Sequence, residues 1–227
     1  MGREVNLLQS LPTKIVRDVA ARRRDKARNR AVALRFGQEY FDGPREQGYG
    51  GYRYDGRWLP VAKEIMSHFG LAPGCRVLDV GCAKGYLVKD LMAVCPGLEV
   101  FGLDISEYAV RACEPETRGR LCIGTADLLP FADNAFDAVI CINTVHNLEP
   151  DRCVMALREI ERLAPGRGFV QVDAYRTDEE KRVFEDWMLT ARTYRTPDGW
   201  RTLFREANYR GDYFWTILES GPGKTIE

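Results

Sequence analysis

Two histidines in 227 residues leave little material for a histidine-built metal centre. The seven cysteines (Cys75, Cys82, Cys95, Cys113, Cys122, Cys141 and Cys153) form no CxxC pair and no Cys/His cluster, which argues against structural zinc. Their odd number fits poorly with a disulfide framework, and several sit inside apolar runs where a free thiol behaves as a small hydrophobe. No window approaches the ~18 consecutive apolar residues of a membrane-spanning helix. The opening MGREVNLLQSLPTK lacks the apolar centre of a secretory signal. Net charge is also absent: Lys plus Arg and Asp plus Glu number 33 each, so no global field draws the chain to nucleic acid or membrane. These absences predict a reduced, cytoplasmic protein with no membrane partner and no metal.

What is present is an apolar fraction of 45%, enough to build a sizeable core. From residue 75 onward, strand-like runs recur at 76–80, 99–103, 120–124, 136–142 and 168–173, with helical patterns at 84–94, 106–113 and 150–163. Near-continuous apolar strands alternating with helices predict an α/β fold, a doubly wound, mostly parallel sheet covered on both faces. Helices are expected near 178–190 and 198–208, and a last strand at 212–218. Residues 1–70 read differently, as a helical extension and a lid, with 71–227 as the main domain. Between Lys14 and Arg35 lie nine basic and two acidic residues, interleaved with alanines, which predicts a helix. The Gly/Tyr-rich stretch FDGPREQGYGGYRYDGRW reads as a loop, and LPVAKEIMSHF (59–69) as a helix stopped by Gly70 and Pro73.

The first strand ends in RVLDVGCAKGY, residues 76–86. In a doubly wound sheet, ligands sit beyond the carboxyl ends of strands where strand order reverses, so this turn is the expected site. Gly81 and Gly85 let backbone approach a ligand closely, and the following helix aims its N-terminus there. A dinucleotide site wants G-x-G-x-x-G under a pyrophosphate. Here the frame is D-x-G-x-A-x-G, with Asp79, Gly81, Ala83 and Gly85, and a carboxylate at Asp79 would face phosphate in a dinucleotide site. Asp104 ends the second strand, 19 residues after Gly85, where a carboxylate can take both ribose hydroxyls of an adenosine.

This frame, together with VFGLDIS, GTADLLPF and LPFADNAFDAVICINTVHNL in order, resembles the class I (Rossmann-like) S-adenosylmethionine-dependent methyltransferases over about residues 70–175. The resemblance implies S-adenosyl-L-methionine as cofactor and S-adenosyl-L-homocysteine as product. It implies that Asp79 holds the amino end of the methionine part, that Asp104 with Ile105 holds the ribose, and that Asp127 with Leu128 meets the adenine. Gly81, Ala83, Gly85 and Asn143 would line the same site. Ala83 stands where the family usually has a second glycine. The family's sixth and antiparallel seventh strands are represented only by DYFWTIL, so the far sheet edge is expected to be shortened or rearranged with the N-terminal segment.

Methyl transfer asks the protein to align a nucleophile, exclude water and, for some acceptors, remove a proton. INTVHNLEP, residues 142–150, ends the fourth strand, and His146 has the ordinary basicity of a general base. His68 is expected to be structural, and Lys84 a solvated loop lysine. Tyr49, Tyr52, Tyr54 and Trp58, with His146 and Asn147, are the expected acceptor contacts. Gly48, Gly50 and Gly51 would give that loop hinge freedom as a lid. The N/D-P-P-Y/F motif of the family's amide and amine methylases is missing after the fourth strand. The expected function is O- or N-methylation of a small molecule in bacterial secondary or glycan metabolism. Two rivals stay open: an RNA methyltransferase using the basic N-terminal helix, and a non-methylating protein of this fold such as an aminopropyl transferase. A homodimer is also left open.

Overall fold

A computed structural model describes residues 2–11 and 19–218. Six strands, β1 (Arg76–Val80), β2 (Glu99–Asp104), β3 (Leu121–Ile123), β4 (Ala138–Ile142), β5 (Gly168–Ala174) and β6 (Asp212–Ile217), form one sheet in the order β3-β2-β1-β4-β5-β6. Every pairing is parallel. The strand order reverses between β1 and β4, which opens a crevice at their carboxyl ends.

Parallel strands need helices on both faces, and consecutive side chains of each strand supply the two cores. On one face Leu78, Val80, Val139, Cys141, Val170 and Val172 pack under helices α7 (Pro150–Leu163) and α9 (Pro197–Glu206). On the other, Val77, Val100, Ala138, Ile140 and Phe169 pack under α4 (Trp58–Phe69) and α5 (Tyr86–Val94). That second core also takes in Leu7, Val61, Ala62 and Ile65, so it runs across residue 70. Local chemistry sets the helix ends. Gly70, at φ 59°, ends α4 in the left-handed region. Thr196 accepts from the Gly199 amide and Pro197 opens α9. Of the C-terminal aromatics, Trp200, Tyr213 and Trp215 are core.

The far edge of the sheet is finished by the start of the chain. The Val5 amide donates to Tyr213 O at 2.9 Å, and the Tyr213 amide to Arg3 O at 3.0 Å, so residues 3–5 lie parallel along β6. No antiparallel strand pair occurs among the described residues. His68 pairs through Nε2 with Asp212 Oδ2 at 2.8 Å beside this edge.

The basic N-terminal stretch departs from its expected single helix. Residues 14–18 lie outside the described residues, as does the tail 219–227. The described part forms α1 (Val19–Arg23) and α2 (Lys26–Ala33), broken at Asp25, whose φ of 50° is left-handed and ends one helical run before the next begins. A further helix, α3 (Gln38–Asp42), takes the first residues of the expected loop. Helices α6 (Glu107–Arg111) and α8 (Asp178–Trp187) complete the set.

Candidate active site

The turn after β1 puts three positions in the left-handed region within five residues: Gly81 at φ 83°, Ala83 at 50° and Gly85 at 76°. At Gly81 a Cβ would stand 1.8 Å from Thr144 Oγ1, beyond β4, so only glycine fits. Ala83 carries a left-handed backbone with a methyl group, a conformation that costs a non-glycine residue roughly 1–2 kcal/mol. The turn is pinned from β2. Leu103 O accepts the Gly81 and Cys82 amides at 2.7 and 3.1 Å, Asp104 Oδ2 accepts the Ala83 amide at 2.7 Å, and Asp104 Oδ1 accepts the Ser106 amide at 2.8 Å. Burial raises the Asp104 carboxyl above its ordinary value against these two amides, which lower it.

Asp79 is 4% exposed, and its carboxylate has no hydrogen-bond partner among the described residues. Desolvation, with the like charge of Asp104 behind it, pushes it up to about 8. A buried carboxyl without a donor is costly unless something outside the chain satisfies it.

The segment 36–57 closes over this turn. Ser106 Oγ donates to Phe36 O at 2.5 Å, and Tyr86 Oη donates to Tyr52 O at 2.8 Å. Lys84 is the clamp. It is 7% exposed rather than solvated as expected, and its ammonium donates to both Asp42 oxygens and to Tyr52 O. The reason is the turn itself, which aims Lys84 at Asp42 and Tyr52. Tyr52 stacks on Tyr86 at 4.8 Å, and Tyr49 lies 4.5 Å from Tyr52. The Tyr52 hydroxyl is held well above its ordinary pKa by burial and then by Asp79.

Beyond β4 and β5, Asn143 takes φ 54°, and its amide donates to Gln171 O and Oε1. Fully buried Gln171 also donates to Thr216 Oγ1 at 2.7 Å, tying the ends of β4, β5 and β6 together. His146 is 4% exposed. Its Nδ1 accepts the Asp173 amide at 3.1 Å, and its Nε2 lies 3.7 Å from Asp173 Oδ2. Burial lowers its pKa and Asp173 opposes that fall.

These groups meet at a cavity of about 940 Å³. Of the expected residues, Asp79, Gly81, Ala83, Asn143, His146, Tyr49, Tyr52 and Trp58 line it. Gly85, Asp104, Ile105, Asp127, Leu128, Tyr54 and Asn147 lie off its wall. Gly85 packs against β3, where an added Cβ would meet Leu121 at 2.9 Å. Tyr54 donates to Asp90 on α5 at 2.6 Å, and Asn147 Nδ2 donates to Asn143 O at 3.0 Å. Asp127 is held by the Arg152 guanidinium and by Thr125 Oγ1. Burial raises the Asp127 carboxyl, and the Arg152 and Thr125 bonds more than offset this. Ile105 and Leu128 are instead large apolar side chains left 54% and 73% exposed, beside Asp104 and Asp127. Sequence reasoning missed Gln171, Asp173 and Thr216. Their visible mark is that polar residues interrupt apolar runs at the carboxyl ends of strands.

Three basic residues of the N-terminal helices turn inward, while Arg23, Arg24, Arg28 and Arg35 stay exposed. Arg22 donates to Gly48 O, Arg45 O and Trp187 O and stacks over the Trp187 ring at 3.7 Å. Lys26 donates to Asp186 O and Met188 O, and Arg30 to Ala191 O. The bonds from Arg22 to Trp187 O and from Lys26 to Asp186 O and Met188 O cap orphan carbonyls at the end of α8. Desolvation, then Arg30 and Arg22, lower Lys26 to about 8. Among the described residues no helix is long and apolar enough to cross a membrane, and no His/Cys/Asp/Glu group suits a metal.

A wholly parallel doubly wound sheet with an acidic, glycine-bearing turn at its switch point defines a nucleoside-binding α/β domain. Residues 78–172 match the family described as methyltransferase domain. The chain is 31% identical over 140 residues to cycloartenol-C-24-methyltransferase 1 of Oryza sativa subsp. japonica, covering 56% of this chain and 40% of that one. It is 35% identical over 113 residues to a Staphylococcus aureus demethylmenaquinone methyltransferase, covering 48% and 46%. The chain thus spans less than half the length of these relatives. Among solved structures, a Haloferax volcanii chain in complex with the Trm112 methyltransferase activator superposes with TM-score 0.54 at 25% identity, covering 64% and 65%. The cyclase SpnF does so with TM-score 0.53 at 23% identity, covering 66% and 56%.

Proposed function

We propose that the protein binds S-adenosylmethionine at the β1 turn and transfers its methyl group to a small molecule in the same cavity. The observation that carries this reading is Asp79: buried, without a partner among the described residues, and on the cavity wall where the strand order reverses. When bound, the cofactor supplies an already activated methyl group. Its amino end would satisfy Asp79, as a charge-assisted bond. Asp104, with lone pairs left beyond its two amide bonds, would take ribose hydroxyls. Exposed Ile105 and Leu128 would flank the adenine, and Gly85 and Asp127 would shape that end. Asn143 and Tyr52 would face the methionine part. The Gly48–Tyr54 loop would exclude water.

Trp58, Leu87, Ile142, Met188, Phe214 and Ile217 form the apolar part of a wall that also carries Asn6, Gln9, Thr190 and Thr216. The apolar part suits a ring-bearing metabolite, and the relatives' names refer to cycloartenol and demethylmenaquinone. Arg22, Lys26 and Arg30 are committed inward, whereas Arg23, Arg24, Arg28 and Arg35 remain exposed, so RNA is kept as a rival acceptor in the test. The same fold in a protein named a cyclase shows that fold alone does not decide the reaction.

The test uses S-adenosylmethionine tritiated in its methyl group, incubated with the protein and a small-molecule extract or total RNA. Label passing into the small-molecule fraction is expected. Label only in RNA, or transfer of a group heavier than methyl by mass spectrometry, would overturn the reading.

A further inference from the structure

Residues 189–191 line the large cavity, and residues 192–196 line a second one of about 360 Å³. Pro150, Tyr175 and Gly199 complete the second cavity, which shares no lining residue with the first. The segment between them is anchored. The Arg192 and Thr193 amides both donate to His146 O at 3.0 Å, the Tyr175 amide donates to Arg195 O at 3.3 Å, and Thr193 Oγ1 donates to Leu148 O at 2.7 Å.

Two arginines line this second cavity and no acidic residue does. The carboxylates nearest to it are occupied. Glu149 accepts from Arg192 at 2.9 Å, Asp198 from Arg201 at 2.8 Å, and Glu185 from Tyr194 Oη at 2.9 Å. Asp151, in the first turn of α7, is exposed. Arg195 is different: it has no hydrogen-bond or ion-pair partner among the described residues, and its Nε–H is closed off from solvent. A buried donor left unmet is costly unless something outside the chain meets it. The sequence also keeps room for this side chain. Gly199 is the third residue of α9, where glycine weakens a helix, and a Cβ there would stand 3.0 Å from Arg195 Cβ and 3.4 Å from its Cδ. Thr196 Oγ1 accepts the Gly199 amide at 3.2 Å, which leaves its O–H to donate.

We propose that this second cavity is a ligand site in its own right, independent of the methyl-transfer reading, and that it takes a phosphate monoester. The phosphoryl oxygens bridge Arg195 and Arg192, with the Thr196 and Tyr175 hydroxyls donating to the same group. The organic part lies against the rings of Tyr175 and Tyr194, whose centroids are 6.4 Å apart. The chemistry favours phosphate over carboxylate. A phosphate monoester carries about 1.5 to 2 negative charges at pH 7 and three terminal oxygens, and two guanidinium forks with two hydroxyls supply donors for all three. A carboxylate, with one charge and two oxygens, leaves donors unmet. Glu149 makes no side-chain cap on α7, so the first-turn dipole of that helix adds to the positive field beside Pro150. The volume is near the lower end of small-molecule sites, ~300–1,000 Å³, which suits a phosphate on one small ring.

The probes are phenyl phosphate, benzoate and phenol, titrated calorimetrically into the full chain at low and at physiological salt. One saturable phenyl phosphate site is expected, about tenfold or more tighter than benzoate and weakened by salt, with no measurable phenol binding. Arg195→Gln should cut phenyl phosphate affinity about tenfold with an unchanged thermal midpoint, and Arg195→Lys, which keeps the charge but not the fork, should lose several-fold. Arg57→Gln, on the large cavity, and saturation with S-adenosylhomocysteine should each leave that affinity unchanged. No saturable binding, benzoate bound as tightly as phenyl phosphate, or full affinity in Arg195→Gln would overturn the inference. So would a loss in Arg57→Gln as large as in Arg195→Gln, or competition with S-adenosylhomocysteine.

Discussion

The Lys84 ammonium lies 2.8 and 2.7 Å from the two carboxylate oxygens of Asp42, joining the turn after β1 to the segment 36–57 across 42 residues of chain. Burial raises the Asp42 carboxyl, and bonds from Lys84 and Tyr108 outweigh this and hold it below its ordinary value. Lys84→Met leaves Asp42 short of its cation and should cost roughly 1–3 kcal/mol, the penalty for a stranded, partly buried charge. Hydrogen exchange at the Tyr49 and Tyr52 amides should speed up while β1 and β4 amides stay protected. Uniform loss of protection would mean that the clamp holds the whole fold rather than the lid.

On the proposed reading, Asp79 makes cofactor affinity depend on pH. Its folded pKa of about 8 lies above the unfolded value. The protonated form is therefore favoured by folding, and this contribution is fully present below about pH 4 and lost as pH rises through about 8. An ammonium ligand prefers the ionised form, so S-adenosylhomocysteine should bind more tightly at pH 8.5 than at pH 6.5, with proton release measurable in buffers of different ionisation enthalpy. Asp79→Asn should flatten this dependence and weaken binding by about 1.5–3 kcal/mol, the range for a charged hydrogen bond. A pH-independent affinity in the wild type would remove Asp79 from the site.

Gly81→Ala places a methyl group against the Thr144 side chain in a left-handed backbone. A loss of roughly 2–4 kcal/mol is expected, read by urea denaturation, as for strain combined with overpacking. Ala83→Gly should do the opposite and raise stability by up to about 1 kcal/mol, because relief of the left-handed strain exceeds the added unfolded-state entropy. A stable Gly81→Ala variant would show that the turn relaxes.

Nitrogen-15 NMR can follow His146. His146 should titrate below its ordinary value, since burial outweighs Asp173, and should carry its proton on Nε2. Its folded pKa is depressed, so the neutral ring's contribution to stability is present above the unfolded pKa of ~6.5 and is lost as pH falls. Asp173→Asn should lower the His146 midpoint further. An unchanged midpoint would mean that the two side chains do not interact.

Strand positions and the β1 turn were readable because a buried parallel sheet forces apolar runs, and its switch point forces glycine at Gly81. Local patterns carried this, and no distant contact was needed. The lid's attachment was not readable. Nothing near Lys84 in the sequence announces Asp42 or Tyr52 as its partners, and a lysine between two glycine-like positions looks solvated. The basic helices misled for the same reason: the carbonyls that Arg22 and Lys26 cap belong to α8, more than 150 residues away. The break at Asp25 depends on a single left-handed residue that composition does not mark.

The most direct measurement is calorimetric titration of the purified chain with S-adenosylhomocysteine, with NADH and a flavin nucleotide as competitors. One saturable site per chain that neither competitor displaces is the predicted result. No binding of the thioether, or binding of either dinucleotide-type cofactor in its place, would contradict it.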